Sequence, residues 1–456
     1  MSPLNAVENA LEELGRDPAG FRSRSIDALV KRAVFEPDAA RRDEARLAIR
    51  KAAAALGILP ASIQDLYAAM GRGEAGGFTT PAMNLRMLTY DAARAVFRAA
   101  KKRDAGAFIL EIARSEMGYT DQRPGEYAAV VLAAAIREGH VGPVFIQGDH
   151  FQMNAKKFAA NADAERQAIE ALIEEAIPAG FLNIDIDTST LVDMSQPTEA
   201  LQQRQNFENA ARFTRFIRAR EPKGITISIG GEIGEVGKEV STPEEFRAFM
   251  DGYRAALPAG MTGVSKISIN TGTSHGGTPL PDGTVANVEI HFDAMQAIST
   301  LAREAYGLSG AVQHGASTVA PDNFHQFPEH GASEVHLATE FQNMTYDALP
   351  AALSEEMYAW LRVHAADERK PKDTEEQFLY RSRKKAIGPF KKAMWDLPED
   401  VRAEIGRRLE EKFGFLFEKL RVPGTVGVVG KWVKPVALEP ALASAGAFHR
   451  DDEAGD

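Results

Sequence analysis

Three of the ten histidines in this 456-residue chain stand among acidic or glycine-rich neighbours in runs that could do chemistry. The runs are Asp149-His150, Thr273-Ser274-His275-Gly276-Gly277 and His314-Gly315-Ala316-Ser317, and a lone glutamate, Glu232, sits between Gly231 and Ile233-Gly234. Three imidazoles with a fourth position open are the ligand set of a catalytic zinc. Such an ion can polarise a carbonyl as a Lewis acid. The chain contains no cysteine, which excludes disulfides, thiolate metal sites and a cysteine nucleophile. A transition metal must then be held by imidazole and carboxylate. The glycines beside His275 and His314 let backbone amides approach an oxyanion such as a phosphate, and Ser317 could add a hydroxyl. Each motif is weak alone, because a lone histidine near a strand end is more often structural.

These residues can act together only if the fold brings them to one place. From Phe78 onward, short apolar or β-branched runs alternate with amphipathic helical runs. The predicted strands are Thr80–Asn84, Phe108–Ile112, Val144–Gly148, Leu182–Asp187, Ile225–Ile229, Lys266–Asn270, Ala311–Gln313 and Glu334–Leu337. Between them lie helical patterns such as Ala168–Ile177, Thr198–Arg220, Pro243–Leu257 and Phe292–Tyr306. Thr242, Pro243 and Glu245 form a helix-start signal with a capping box. Eight strands alternating with helices make an α/β chain and match the count of a TIM (β/α)8 barrel, with an open doubly wound sheet as the alternative. In such a barrel the histidines and Glu232 all follow strand ends and face one mouth.

The flanks read differently. Residues 1–77 form an N-terminal helical extension with no strand, 78–345 the barrel, and 346–456 a C-terminal helical extension. The small, acidic stretch 441–456 is predicted to be disordered. His140, His291, His325, His330, His364 and His449 read as surface groups, while His336 lies within the last strand. The basic run Arg381, Arg383, Lys384, Lys385, Lys391 and Lys392 reads either as a solvated helix face or as a group binding a second phosphate. A net charge of −11 argues against nucleic acid or an anionic membrane as partner, and no segment has the length of an apolar span. The expected compartment is the cytoplasm.

In order along the chain, Pro81-Ala82-Met83-Asn84, Asp149-His150, Asp187-Thr188-Ser189, Glu232-Ile233-Gly234, Thr273-Ser274-His275-Gly276 and His314-Gly315-Ala316-Ser317 resemble the motifs of the class II, zinc-dependent fructose-bisphosphate aldolase superfamily, over roughly residues 78–343. The resemblance implies zinc on His150, His275 and His314, with Glu232 as an alternative ligand. It implies that Asp149 is the general acid/base, and that a mobile glutamate, Glu239 or Glu235, moves the carbon-bound proton. Gly276, Gly277, Gly315 and Ser317 would cradle the donor's phosphate, with Asn84, Ser115, Asp187, His336 and Thr339 as further substrate contacts and a monovalent cation near the phosphate. The implied reaction is cleavage or formation of a ketose (bis)phosphate through a metal-stabilised enediolate, in a homo-oligomer.

One departure bears on substrate. The family's last strand ends Asn-x-Asp-Thr, whereas this chain has His336-Leu337-Ala338-Thr339. Weak activity on fructose 1,6-bisphosphate and better activity on another sugar phosphate are therefore expected. The competing readings are another metal-dependent lyase on the same barrel, and a non-catalytic barrel subunit of a tagatose-bisphosphate aldolase type.

Overall fold

The computed structural model describes residues 5–234, 239–273 and 290–438. His275, Gly276, Gly277, Glu235, His449 and the acidic stretch 441–456 lie outside the described residues. The strands are β1 (Ile58–Pro60), β2 (Thr80–Asn84), β3 (Ile109–Ala113), β4 (Gly142–Gln152), β5 (Asn183–Asp187), β6 (Ser228–Glu232), β7 (Lys266–Ile269), β8 (Ala311–Gln313) and β9 (Glu334–Leu337). β2 to β9 pair in parallel in chain order, and β9 returns to β2, which closes an eight-stranded barrel surrounded by helices. The TIM-barrel expectation holds and the open sheet is excluded. Their residues are buried almost throughout, as helices outside and packed side chains inside require.

Helices follow the strands where the 3.6-residue period placed them. They include Thr89–Lys101, Pro124–Glu138, Ala162–Ala179, Arg204–Arg218, Pro243–Ala256 and Phe292–Tyr306. The Thr242 hydroxyl accepts the Glu245 amide while the Glu245 carboxylate accepts the Thr242 amide, so the predicted capping box forms. The run expected as one helix over Thr198–Arg220 divides at Gln203, whose side-chain amide donates to the Ile233 carbonyl instead.

Three strand expectations need correction. The strand expected at Val144–Gly148 runs over Gly142–Gln152, so Asp149 and His150 lie inside it and not after its end. A strand exists before residue 78: β1 pairs with the first half of β4, from Ile58 opposite Gly142 to Pro60 opposite Val144. Three residues after Gly57, the last of them a proline, are too few to show a period. The chain then enters the helix Gln64–Gly71, which brings Tyr67, fully buried, beneath the barrel. The strand expected at Ile225–Ile229 runs from Ser228 to Glu232, so Gly230 and Gly231, beyond the expected end, belong to β6. A Cβ on Gly230 would lie 2.3 Å from Asp185 Oδ1 and 2.9 Å from Lys266 Cε, so a larger residue there would displace the charged groups inside the barrel.

Both flanks pack on the barrel's outer helices. Ile26–Phe35 and Ala39–Ala55 lie against Pro124–Glu138, and Glu399–Lys419 runs along Thr89–Lys101. The latter contact is pinned by Arg98 Nε on Glu410 at 2.6 Å, and the same C-terminal helix sets Phe417 against Phe108, just before β3, with rings 5.7 Å apart. A short helix, Val426–Trp432, appears in the Pro/Gly-rich stretch near the end.

Candidate active site

Alternation along the strands decides which side chains point inward. Gln147 and Asp149 on β4, Asp185 and Asp187 on β5, Gly230 and Glu232 on β6, and Glu334 and His336 on β9 are pairs two residues apart. In each pair the later residue lies nearer the mouth. β4 departs from strict alternation through a bulge: it carries one more residue than β5 between Gly148 and Phe151. His150, inside the bulge, has φ 39°, an uncommon conformation for a non-glycine residue. Bulges next to active sites re-aim side chains, and this one lets Asp149 and His150 serve the same pocket.

Three buried or nearly buried side chains meet there. The ligand atoms of His150, Glu232 and His314 lie within 4.8 Å of one another. Glu232 Oε2 is 3.6 Å from His150 Nδ1 and 3.5 Å from His314 Nδ1. Asp187 orients the first imidazole: its Oδ2 lies 3.0 Å from His150 Nδ1 and accepts the Gln152 amide at 2.6 Å, while its Oδ1 accepts the Ser189 hydroxyl at 2.7 Å. Carboxylate support of a histidine ring is the usual second layer of a metal site. Asp149 Oδ1 stands between the rings, 3.9 Å from His150 Nε2, 3.7 Å from His314 Nε2 and 3.3 Å from His336 Nδ1. The donor set of imidazoles and a carboxylate, grouped and buried, fits a divalent transition metal.

The charges are strongly shifted. Burial alone would raise Asp149, but the neighbouring charges of His150 and His336 hold it well below the usual carboxylate range. Burial, and then the negative charge of Asp187, push Glu232 well above that range. Burial disfavours a charged His150, yet Asp149 and Asp187 outweigh it and hold the ring well above the ordinary histidine value. Imidazoles and carboxylates that pull one another this far mark a site where a cation can replace protons.

Beneath this pocket lies a second charged layer that strand patterning alone did not single out. Lys266 Nζ is 3.0 Å from Asp185 Oδ2, donates to Gln147 Oε1 at 2.8 Å and is paired with Glu334. Tyr67 donates its hydroxyl to Glu334 from below. Gln147 donates to Glu111 and Glu334, both at 2.9 Å. His336 joins the two layers, with Nε2 2.7 Å from Glu334 Oε1 and Nδ1 3.1 Å from Glu111 Oε2. Its ring centroid is also 4.2 Å from that of His314. The usable signal was a charged strand residue two positions before a mouth residue: Asp185 before Asp187, Glu334 before His336.

The remaining expected residues are distributed as follows. Asn84, at the end of β2, is buried and donates to Glu116. Ser115 is half-buried in the turn of helix after β3. Gly315, at φ 68°, starts the turn Ala316–Thr318, and Ser317 Oγ accepts the Ala338 amide at 3.2 Å, tying the end of β8 to the end of β9. Thr339 begins the helix Thr339–Asp347. Glu239 is exposed on the β6 side, and its carbonyl accepts the Asn270 amide at 3.1 Å.

Two surface expectations fail. His140 is half-buried, with a ring nitrogen 3.1 Å from the Pro143 carbonyl oxygen and its ring 5.0 Å from Phe97. His330 is half-buried against Phe292 at 5.0 Å. The basic run is largely engaged elsewhere. Arg381 pairs with Asp373, Lys385 with Glu368, Lys391 with Glu126 and Lys392 with Asp396. Arg383 bonds Asn343 and lies 4.4 Å over the Tyr380 ring.

Fold and pocket together define a (β/α)8 barrel with a candidate metal centre at its C-terminal mouth. The profile of the family described as fructose-bisphosphate aldolase class-II matches residues 64–401, and the chain belongs to that family. Among solved structures it is similar to a candidate fructose-1,6-bisphosphate aldolase from Coccidioides immitis (17% identity, TM-score 0.50, covering 80% of this chain and 99% of that one). It is also similar to a candidate tagatose 6-phosphate kinase from Sinorhizobium meliloti 1021 (20% identity, TM-score 0.54, covering 77% and 98%). At these identities the likeness is one of fold. No curated protein matches the sequence.

Proposed function

We propose that the protein is a zinc-dependent aldolase that cleaves or forms a ketose phosphate. The observation that carries this reading is the grouping of His150, Glu232 and His314 around a common point with Asp149 alongside. His275 would complete the ligand set, and Glu232 would be the ligand that exchanges. When bound, the metal supplies a Lewis acid that offsets negative charge developing on the ketone oxygen. Asp149 would give and take the proton on the aldehyde oxygen, and Glu239, or Glu235 in the same loop, the proton on the donor carbon. Gly276, Gly277, Gly315 and Ser317 would hold the donor's phosphate, with Asn84, Ser115 and Thr339 at its edges, in a homo-oligomeric cytoplasmic enzyme.

A Schiff-base route is disfavoured at the one lysine inside the described barrel. Burial would lower Lys266, but Asp185 and Glu334 hold it above its ordinary value, so it stays protonated and a poor nucleophile. The test is to load the full-length protein with zinc, measure metal per chain, and assay cleavage of a panel of ketose phosphates. His150→Ala, His275→Ala and His314→Ala should each lose zinc and cleavage. Full zinc occupancy in His275→Ala or His314→Ala, or cleavage of no ketose phosphate by the loaded wild type, overturns the reading.

A further inference from the structure

Asn84 closes β2 at the mouth of the barrel, on the strand opposite β6. Ala82 stands beside His336 in the β2–β9 register, and His336 faces the interior. Asn84, two residues on, therefore faces it as well and lies nearer the mouth. The residue is 2% exposed, and the two ends of its amide are treated differently. Nδ2 donates to Glu116 Oε2, whereas Oδ1 is buried and makes no hydrogen bond. The register runs on from Met83 beside Leu337 to Asn84 beside Ala338, which brings only a methyl group to that place.

Glu116 is itself fixed. Its Oε2 also accepts the Ala113 amide at 2.7 Å, and its Oε1 accepts Arg86 Nε at 2.7 Å. Arg86 in turn donates to Gln342 Oε1 at 3.2 Å, on the helix that follows β9. Turning the Asn84 amide over would set its carbonyl against the Glu116 carboxylate, so one orientation is enforced. What Asn84 has left to offer is an acceptor. Buried polar groups are nearly always hydrogen-bonded, and an open acceptor at a barrel mouth calls for a ligand that donates to it. A hydroxyl does so; a phosphate oxygen does not.

The position of Asn84 selects the half of the substrate. In the aldolase reading Asp149 handles the aldehyde oxygen. Asp149 Oδ1 lies 3.3 Å from His336 Nδ1, and between their strands, β4 and β9, the barrel wall is β3 and β2. An aldehyde whose oxygen is at Asp149 thus has Asn84 in the wall beside it. Resting on that reading, we infer that Asn84 Oδ1 accepts a hydroxyl of the acceptor aldehyde, and that Glu116, backed by Arg86, is the positioning residue that holds this oxygen in place. An aldehyde without the hydroxyl leaves the buried acceptor unpaired and is discriminated against.

The experiment uses the zinc-loaded full-length protein with dihydroxyacetone phosphate as donor. Solvent-deuterium exchange into the donor needs no aldehyde and tests the aldolase reading by itself. Aldol formation is then measured with glyceraldehyde, lactaldehyde, 3-hydroxypropanal and propanal, which differ in their hydroxyls alone. The quantity read is the kcat/KM ratio of the best hydroxyaldehyde to propanal. The same ratio in Asn84→Leu supplies the intrinsic reactivity of the aldehydes, and the wild-type ratio should exceed it by about 10–100-fold. Glu116→Gln should lower the ratio about tenfold, because the Arg86 guanidinium keeps the new amide's oxygen and turns its nitrogen toward Asn84. A merely structural role would lower both aldehydes alike, and an unchanged ratio overturns the positioning role. Should Glu116→Gln fail to fold, Arg86→Met, which frees one side of the carboxylate, should lower the ratio severalfold, and an unchanged ratio there has the same consequence. Exchange with equal ratios in wild type and Asn84→Leu overturns this inference alone. Absence of exchange overturns the aldolase reading and this inference with it.

Discussion

The mouth and the floor of this barrel are both built from charged side chains, yet they are neutralised in different ways. At the floor, Asp185 and Glu334 share Lys266, and Tyr67 and Gln147 fill the remaining hydrogen-bonding positions. The cation is part of the chain. At the mouth, among the described residues, the charged groups within ion-pair distance of Asp149, Glu232 and Asp187 are imidazoles. A histidine is charged only when protonated, so this layer can exchange its protons for a metal. The floor is a self-contained ionic plug, and the mouth, under the proposed function, takes an added cation. His336 touches both layers and couples them.

That contrast can be broken at several points. The largest effect is expected at Asp149. Asp149→Ala should keep its zinc but lose about 10²–10⁴-fold in turnover, the scale of an acid/base group. Turnover near wild type would remove Asp149 from the chemistry. Next is the floor. Lys266→Met leaves Asp185 and Glu334 buried without their cation and should destabilise the metal-free protein by about 3–5 kcal/mol in urea unfolding. A loss below about 1 kcal/mol would mean that the floor does not rely on its lysine.

A smaller effect separates orienting groups from ligands. Asp187→Ala removes the carboxylate that holds the His150 ring and should weaken zinc binding about 10–100-fold, measured by competition with a chelator. Unchanged affinity would show that the bulge alone sets the ring.

The smallest effect is a pH dependence. Burial, and then Asp149, push Glu111 up to about 7 from an ordinary value near 4.5. A carboxyl raised by folding contributes stability that is fully present below its unfolded value and is lost as pH rises through its folded value. Metal-free wild type should therefore lose stability between about pH 5 and 7, and Glu111→Gln should flatten that slope in thermal melts. An unchanged slope would assign the dependence to other groups.

Much of this was legible in one dimension. Strand and helix alternation from Thr80 to Leu337 is a local, periodic property, and eight repeats of it already limited the fold to a few parallel architectures. His150, Glu232 and His314 could be picked out because each stands close after an expected strand end, and a barrel sends strand ends to one mouth. β1 was not legible, since three residues carry no period and only pairing with β4 defines them. Nor were the limits of β6, because glycine carries little strand preference and Gly230 is explained only when Asp185 and Lys266 are seen to need its missing side chain.

The sequence by itself determined the chemistry on offer: imidazole and carboxylate without thiolate, arranged on a repeating β/α frame. Only the tertiary structure decided how those groups divide into layers. Burial and pair distances are set by residues far apart in the chain, such as Tyr67 with Glu334 or Lys266 with Asp185, and no spacing along a strand encodes them. His336 illustrates the point. Its position in the last strand marked it as a substrate contact, while its neighbours across the barrel, Glu111, Asp149 and Glu334, make it the link between the fixed cation below and the candidate metal pocket above.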